Sequence, residues 1–137
     1  MLDNLLTPCI ILGVMNSKYE EKLLENWEDV FRQGLLTFWV LVALSHEEMA
    51  IPQIRIKVLS LTNNTYKTSD QALYRLLRKH YDLEIVDIRE IKGNAGPNKK
   101  LYKLSAIGQR LLLEFSNRNI TLFMQPSVQS LIKKGKS

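Results

Sequence analysis

The sequence has one cysteine and two histidines in 137 residues. A lone cysteine, Cys9, builds no disulfide framework within the chain and offers no zinc-ligand spacing. It lies beside Ile10, Ile11 and Leu12, which reads as an inert apolar residue in a reducing, cytoplasmic setting. Neither His46 nor His80 has a spacing partner for nucleophilic or metal chemistry. No glycine-rich phosphate loop is present, since Gly93 and Gly96 belong to a turn. No enzyme, cofactor or metal is therefore expected. The apolar runs 5–15 and 35–44 are too short to span a bilayer, and the first follows Asp3 rather than a basic residue. Neither a membrane segment nor a signal peptide is expected, and no internal repeat or low-complexity tract is visible. Without such a signal, the glycosylation-like triplets at Asn63 and Asn119 read as chance matches.

What is present is an ordinary globular composition, 45% hydrophobic and 24% charged, with one domain's worth of chain. The net charge of +5 is unevenly spread. Residues 1–50 carry three basic and eight acidic groups, a net −5; residues 51–137 carry sixteen basic and six acidic groups, a net +10. A basic half of that size points to a polyanionic partner.

The stretch 68–82 organises the rest. Leu73, Leu76, Leu77 and His80 recur at i, i+3, i+4, i+7 and predict an apolar helical stripe. Gln71, Tyr74, Arg75, Arg78 and Lys79 lie off it, and Thr68 with Gln71 has capping-box spacing. Arginine can pair with guanine, and glutamine with adenine, in the DNA major groove. The same pattern also describes a helix whose charges simply face water.

The remaining chain frames this helix. Residues 1–16, with Pro8 and Gly13, have no clear assignment. Ser17 and Glu20 open a helix with Tyr19, Leu23, Trp27 and Val30/Phe31 on one face. After Gly34, residues 35–44 predict a second, buried helix, whose apolar girth argues for a dimer. Pro52 starts a helix with Ile54, Val58 and Leu61 on one side, ended by Asn63–Asn64. Two helices with a tight turn between them, the second basic, have helix-turn-helix order. Residues 84–92 and 99–104 predict strands around the turn 93–98, a hairpin with Lys92, Lys99 and Lys100 at its tip. Ser105 caps a helix bearing Ile107, Leu111, Leu112 and Phe115, and Pro126 starts a last short one. The expected fold class is mainly α with a small antiparallel β-hairpin: a winged helix-turn-helix with extra N- and C-terminal helices.

Three segments in order resemble the PadR family of bacterial winged-helix transcriptional regulators. Gly96, Pro97, Lys99, Lys100, Tyr102, Lys103, Leu104, Ser105 and Gly108 are similar to the family's wing signature. Leu73, Tyr74, Leu77, Arg78 and Lys79 are similar to its recognition helix, and residues 34–45 to its first helix. The resemblance runs from about Gln33 to Leu113. The departures fall on the groove-facing side: Gln71–Ala72 replaces Gly-Thr, Arg75 replaces Pro, and Ile51–Pro52–Gln53 replaces Gly-Tyr-Glu. His80 replaces a leucine, and the C-terminal segment is short, as in a minimal member.

The resemblance implies a cytoplasmic homodimeric repressor that binds double-stranded DNA through a recognition helix (69–81) and a basic wing (84–104). Gln71, Tyr74, Arg75 and Arg78 are the candidates for bases, and Lys67, Ser69, Lys79, Lys92, Lys99 and Lys100 those for phosphates. Trp27 and Trp39 mark a dimer seam or a pocket for a small aromatic effector, or else core packing. The expected organisation is an N-terminal arm and helix (1–28), the winged-helix domain (29–119), and a C-terminal segment with a basic tail (120–137). A winged helix that docks an acidic protein partner, without specific DNA binding, is the competing expectation.

Overall fold

A computed structural model describes residues 17–136. The N-terminal arm 1–16, with Cys9, lies outside the described residues. The elements run α1 (Lys18–His46), α2 (Ile51–Leu61), α3 (Asp70–Asp82), β1 (Val86–Ile91), β2 (Lys99–Leu104), α4 (Ala106–Phe115) and α5 (Pro126–Lys136). A π-helical turn (Ser116–Ile120) and a 3-10 turn (Thr121–Met124) lie between α4 and α5. Two compact units result: one is Gly34–Glu114, and the other joins the described residues before Gly34 to those from Phe115 onward.

The Gly34–Glu114 unit is a three-helix core closed by a hairpin. Val40, Leu41, Ala43 and Leu44 of α1, Ile54 and Val58 of α2, and Leu73 and Leu77 of α3 are buried together with Val86, Tyr102 and Leu104 of the hairpin. The helical contributions recur at three- and four-residue spacings, so each amphipathic helix turns one stripe inward. Each such side chain contributes about 1.5–3 kcal/mol through removal from water. In β1 and β2, Val86 faces Leu104 and Ile88 faces Tyr102 across an antiparallel register, which puts alternate residues on the core side.

Three boundaries differ from the sequence expectation. The segments on either side of Gly34 form one helix of 29 residues, not two. Nothing lies within 4 Å of where a Cβ on Gly34 would stand, so no close approach there requires a glycine. A glycine inside a helix costs only about 1 kcal/mol against alanine, less than would be needed to break so long an apolar run. The cap of α3 is Ser69, whose hydroxyl accepts from Ala72 N–H at 3.0 Å, one residue after the expected Thr68. The first strand starts at Val86 because Glu84 takes a left-handed backbone, φ 62°.

One pairing was not anticipated. Met49, between α1 and α2, bridges Tyr102 with two backbone hydrogen bonds of 3.0 and 2.8 Å. It adds a one-residue edge to the hairpin and ties the wing to the helical core. A single residue carries no periodic signal, which is why it escaped the sequence reading.

Candidate nucleic-acid interface

The α2–turn–α3 segment is set by its end groups. Asn63 N–H donates to Ser60 O and Asn64 N–H to Leu59 O, with Asn63 left-handed at φ 51°. This closes the last carbonyls of α2, a task asparagine tolerates better than most residues. Tyr66 is buried in the core and anchors the connection from within. Arg55 of α2 then donates to Asp70 at the start of α3, 2.8 Å apart. Both groups are largely exposed, so the pair sets the angle between the helices more than it adds stability, about 0–1 kcal/mol.

The core face of α3 is Leu73, Leu76, Leu77 and His80, as the spacing predicts. His80 is only 9% exposed. Its Nε2 meets Thr37 Oγ1 at 3.2 Å, while Nδ1 has no partner. The imidazole is therefore satisfied on one side only. Burial, followed by the charge of Lys79, lowers its pKa below the usual histidine range.

The opposite face presents Gln71, Tyr74, Arg75, Arg78 and Lys79 to solvent. Lys67 and Ser69 are exposed just before α3, and Lys92, Lys99 and Lys100 are exposed on the hairpin. Lys99 and Lys100 pair with Ile91 and Glu90 at the end of the ladder. Tyr74, Arg78, Tyr81 and Asp82 of α3 face Ile88, Lys100 and Tyr102 of the wing across a cleft of about 250 Å³. The structure thus brings Tyr74, Arg78 and Lys100 together. Gln71 and Arg75 stand clear of that cleft.

The wing is held in place by two glycines. A Cβ on Gly108 would lie 2.1 Å from Ile85 O, and one on Gly93 would lie 2.5 Å from Pro97 O. Ser105 Oγ donates toward the carbonyls of Glu84 and Ile85 and accepts from Gly108 N–H at 3.0 Å. The serine-to-glycine spacing therefore closes α4 against the root of β1. On the far side, Arg89 pairs with Glu48, which lowers the Glu48 carboxyl pKa and raises that of Arg89.

Trp39 is half-buried against the core and meets Phe38 edge-on at 5.2 Å. Trp27 is 73% exposed. Among the described residues no group of three or more His, Cys, Asp or Glu is placed to hold a metal. No helix among them is long and apolar enough to cross a membrane.

No family model matches the sequence, and no curated protein does either. Solved structures do match. A PadR family transcriptional regulator from Eggerthella lenta superposes with a TM-score of 0.67 at 20% identity, over 85% of this chain and 97% of that one. A PadR-like transcriptional regulator from Bacillus cereus gives 0.58 at 21% identity, over 73% and 93%. Bacillus subtilis PadR, solved in complex with operator DNA, gives 0.54 at 20% identity; the match covers 59% of this chain and spans 45% of that one. At these identities the likeness is one of architecture, and the chain has the PadR-like winged helix-turn-helix fold.

Proposed function

We propose that the chain is a sequence-specific regulator that binds double-stranded DNA, with α3 in the major groove and the wing along the backbone. The observation that carries this reading is the outward face of α3. It holds Gln71, Arg75 and Arg78, with neither arginine in an ion pair among the described residues, beside a lysine-bearing hairpin. Gln71, Tyr74, Arg75 and Arg78 are the base-edge candidates; Lys67, Ser69, Lys79, Lys92, Lys99 and Lys100 supply phosphate contacts that position without reading. The solved operator complex of Bacillus subtilis PadR supports the same use of this architecture.

The working unit in this reading is a homodimer acting as a repressor. Tyr19, Leu23, Trp27, Val30 and Phe31 recur at helical spacing on α1 and are each more than half exposed. An apolar stripe of that length on a water-facing helix marks an interaction surface. Two copies would set two recognition helices about one helical turn of DNA apart. The same reading places a small aromatic effector at the seam, where Trp27 and Trp39 would report it by fluorescence quenching.

The test is fluorescence anisotropy of a duplex from the gene's own upstream region beside a scrambled one, at two salt concentrations. Tight, salt-weakened binding to the upstream duplex alone is expected. Arg75→Ala should cost about 1–3 kcal/mol on that duplex and much less on the scrambled one. Lys99→Ala should weaken both and flatten the salt slope by about one unit. Equal, weak binding of the wild-type chain to both duplexes would overturn the reading in favour of an acidic protein partner.

A further inference from the structure

The outward residues of α3 fall into two rows. Residues four apart stack on one side of a helix. Gln71 and Arg75 form one row; Tyr74, Arg78 and, one turn on, Tyr81 form the other. Only the second row borders the cleft toward the wing, whose remaining walls are Asp82, Ile88, Lys100 and Tyr102. Among the described residues neither Arg78 nor Lys100 is in an ion pair, and the Tyr74 hydroxyl makes no hydrogen bond. Two uncommitted cations from separate elements therefore border one cleft. An anion between them would relieve their repulsion, and the apolar walls of Ile88 and Tyr102 would strengthen its attraction.

We propose that this cleft seats one phosphate of the DNA backbone, with the Tyr74 hydroxyl donating to it and Arg78 and Lys100 supplying charge, and that base reading rests on Gln71 and Arg75. The proposal rests on the DNA-binding reading above. It moves Tyr74 and Arg78 from the bases to the backbone. Asp82 on the cleft wall opposes anions of higher charge: it repels a free phosphate, a mixture of mono- and dianion at neutral pH, more than a singly charged phosphodiester. A phosphate held by helix and wing together fixes the angle at which α3 enters the groove, which makes Tyr74 and Lys100 positioning residues.

The experiment uses a duplex selected from random sequence by the wild-type chain. A matched set carries a neutral methylphosphonate at one backbone position at a time. Tyr74→Phe and Lys100→Ala should each weaken the unmodified duplex roughly tenfold, the equivalent of one hydrogen bond to a charged group. Both should lose nothing further on the duplex whose methylphosphonate replaces the seated phosphate. Preferences measured on single base-pair changes should stay as in wild type for these two variants and relax for Gln71→Ala and Arg75→Ala. Asp82→Asn should tighten selected and scrambled duplexes alike.

A Tyr74→Phe variant that alters the preference at one base pair, or loses as much on every methylphosphonate duplex, overturns the proposal. So does inorganic phosphate that releases the duplex better than chloride at equal ionic strength, since the cleft would then be a free-phosphate site. A wild-type chain that binds no duplex overturns the DNA-binding reading itself. A wild-type chain that binds, with Tyr74→Phe binding equally well, overturns only the phosphate seat.

Discussion

His80 is the single buried polar side chain among the described residues, and it sits on the inner face of the helix proposed to enter DNA. Either tautomer leaves Nδ1 unmatched: as an N–H it lacks an acceptor, and as a lone pair it lacks a donor. The lone pair is the cheaper orphan, so Nε2–H donating to Thr37 is the consistent arrangement. Its folded pKa lies below the ordinary 6.5, so the unfolded chain takes up the proton first as pH falls. Stability is then full above about 6.5 and declines below it, until the folded pKa is reached. Urea unfolding at pH 7.5 and 5.5 should show this loss in the wild type and not in His80→Leu. Equal pH dependence in both would remove His80 as its source. The Glu48–Arg89 pair does not confound this window, because the Glu48 pKa is depressed from 4.5 and its contribution is lost only at lower pH.

At the scale of elements, the inner stripe of α3 was legible because four residues at helical spacing leave one packing solution. Its cap falls one residue later than the expected Thr68, since Thr68 and Ser69 can both accept from the first turn and only the backbone path chooses between them. Ser69, extended at φ −99° and ψ 160°, takes the role. Ser69→Ala should therefore cost about 1 kcal/mol by urea unfolding, and Thr68→Ala clearly less. A larger loss for Thr68→Ala would return the cap to the expected position. Gly34 was misread because glycine is permissive: it allows a break without requiring one. The long α1 needs no turn there, and the strong helix formers around it carry the helix through. The wing turn was legible for the opposite reason, as Gly93 stands where a Cβ would strike backbone.

At the scale of the whole molecule, the exposed stripe on α1 is a cost to a lone chain. Trp27 is 73% exposed and Val30 69%. Covering one such side chain is worth about 1.5–3 kcal/mol. Trp27→Glu should shift sedimentation toward monomer at micromolar concentration and weaken binding to a two-half-site duplex far more than to a single half-site. The circular dichroism spectrum should be retained, because Trp27 lies outside the Gly34–Glu114 unit. A variant with unchanged sedimentation would remove this face from the seam. The charge asymmetry belongs to this scale as well: the basic excess lies after residue 50, where α3 and the wing are. Long-range attraction to a polyanion follows from that distribution and needs no pairing detail.

Element types and order, the inner stripes of α2 and α3, the wing and its basic character can all be read along the chain. Each is a local pattern: a period, a turn residue, a run of charge. Three features needed the fold. Met49 joins the wing by pairing with Tyr102, a contact between residues far apart in sequence. His80 turns out half-satisfied because only packing brings Thr37 to it. The outward face of α3 divides between cleft and open groove because the wing folds back beside Tyr74 and Arg78 and leaves Gln71 and Arg75 free. Spacing along one helix tells which side chains point outward, but what they meet there depends on elements whose approach is decided by burial of the shared core.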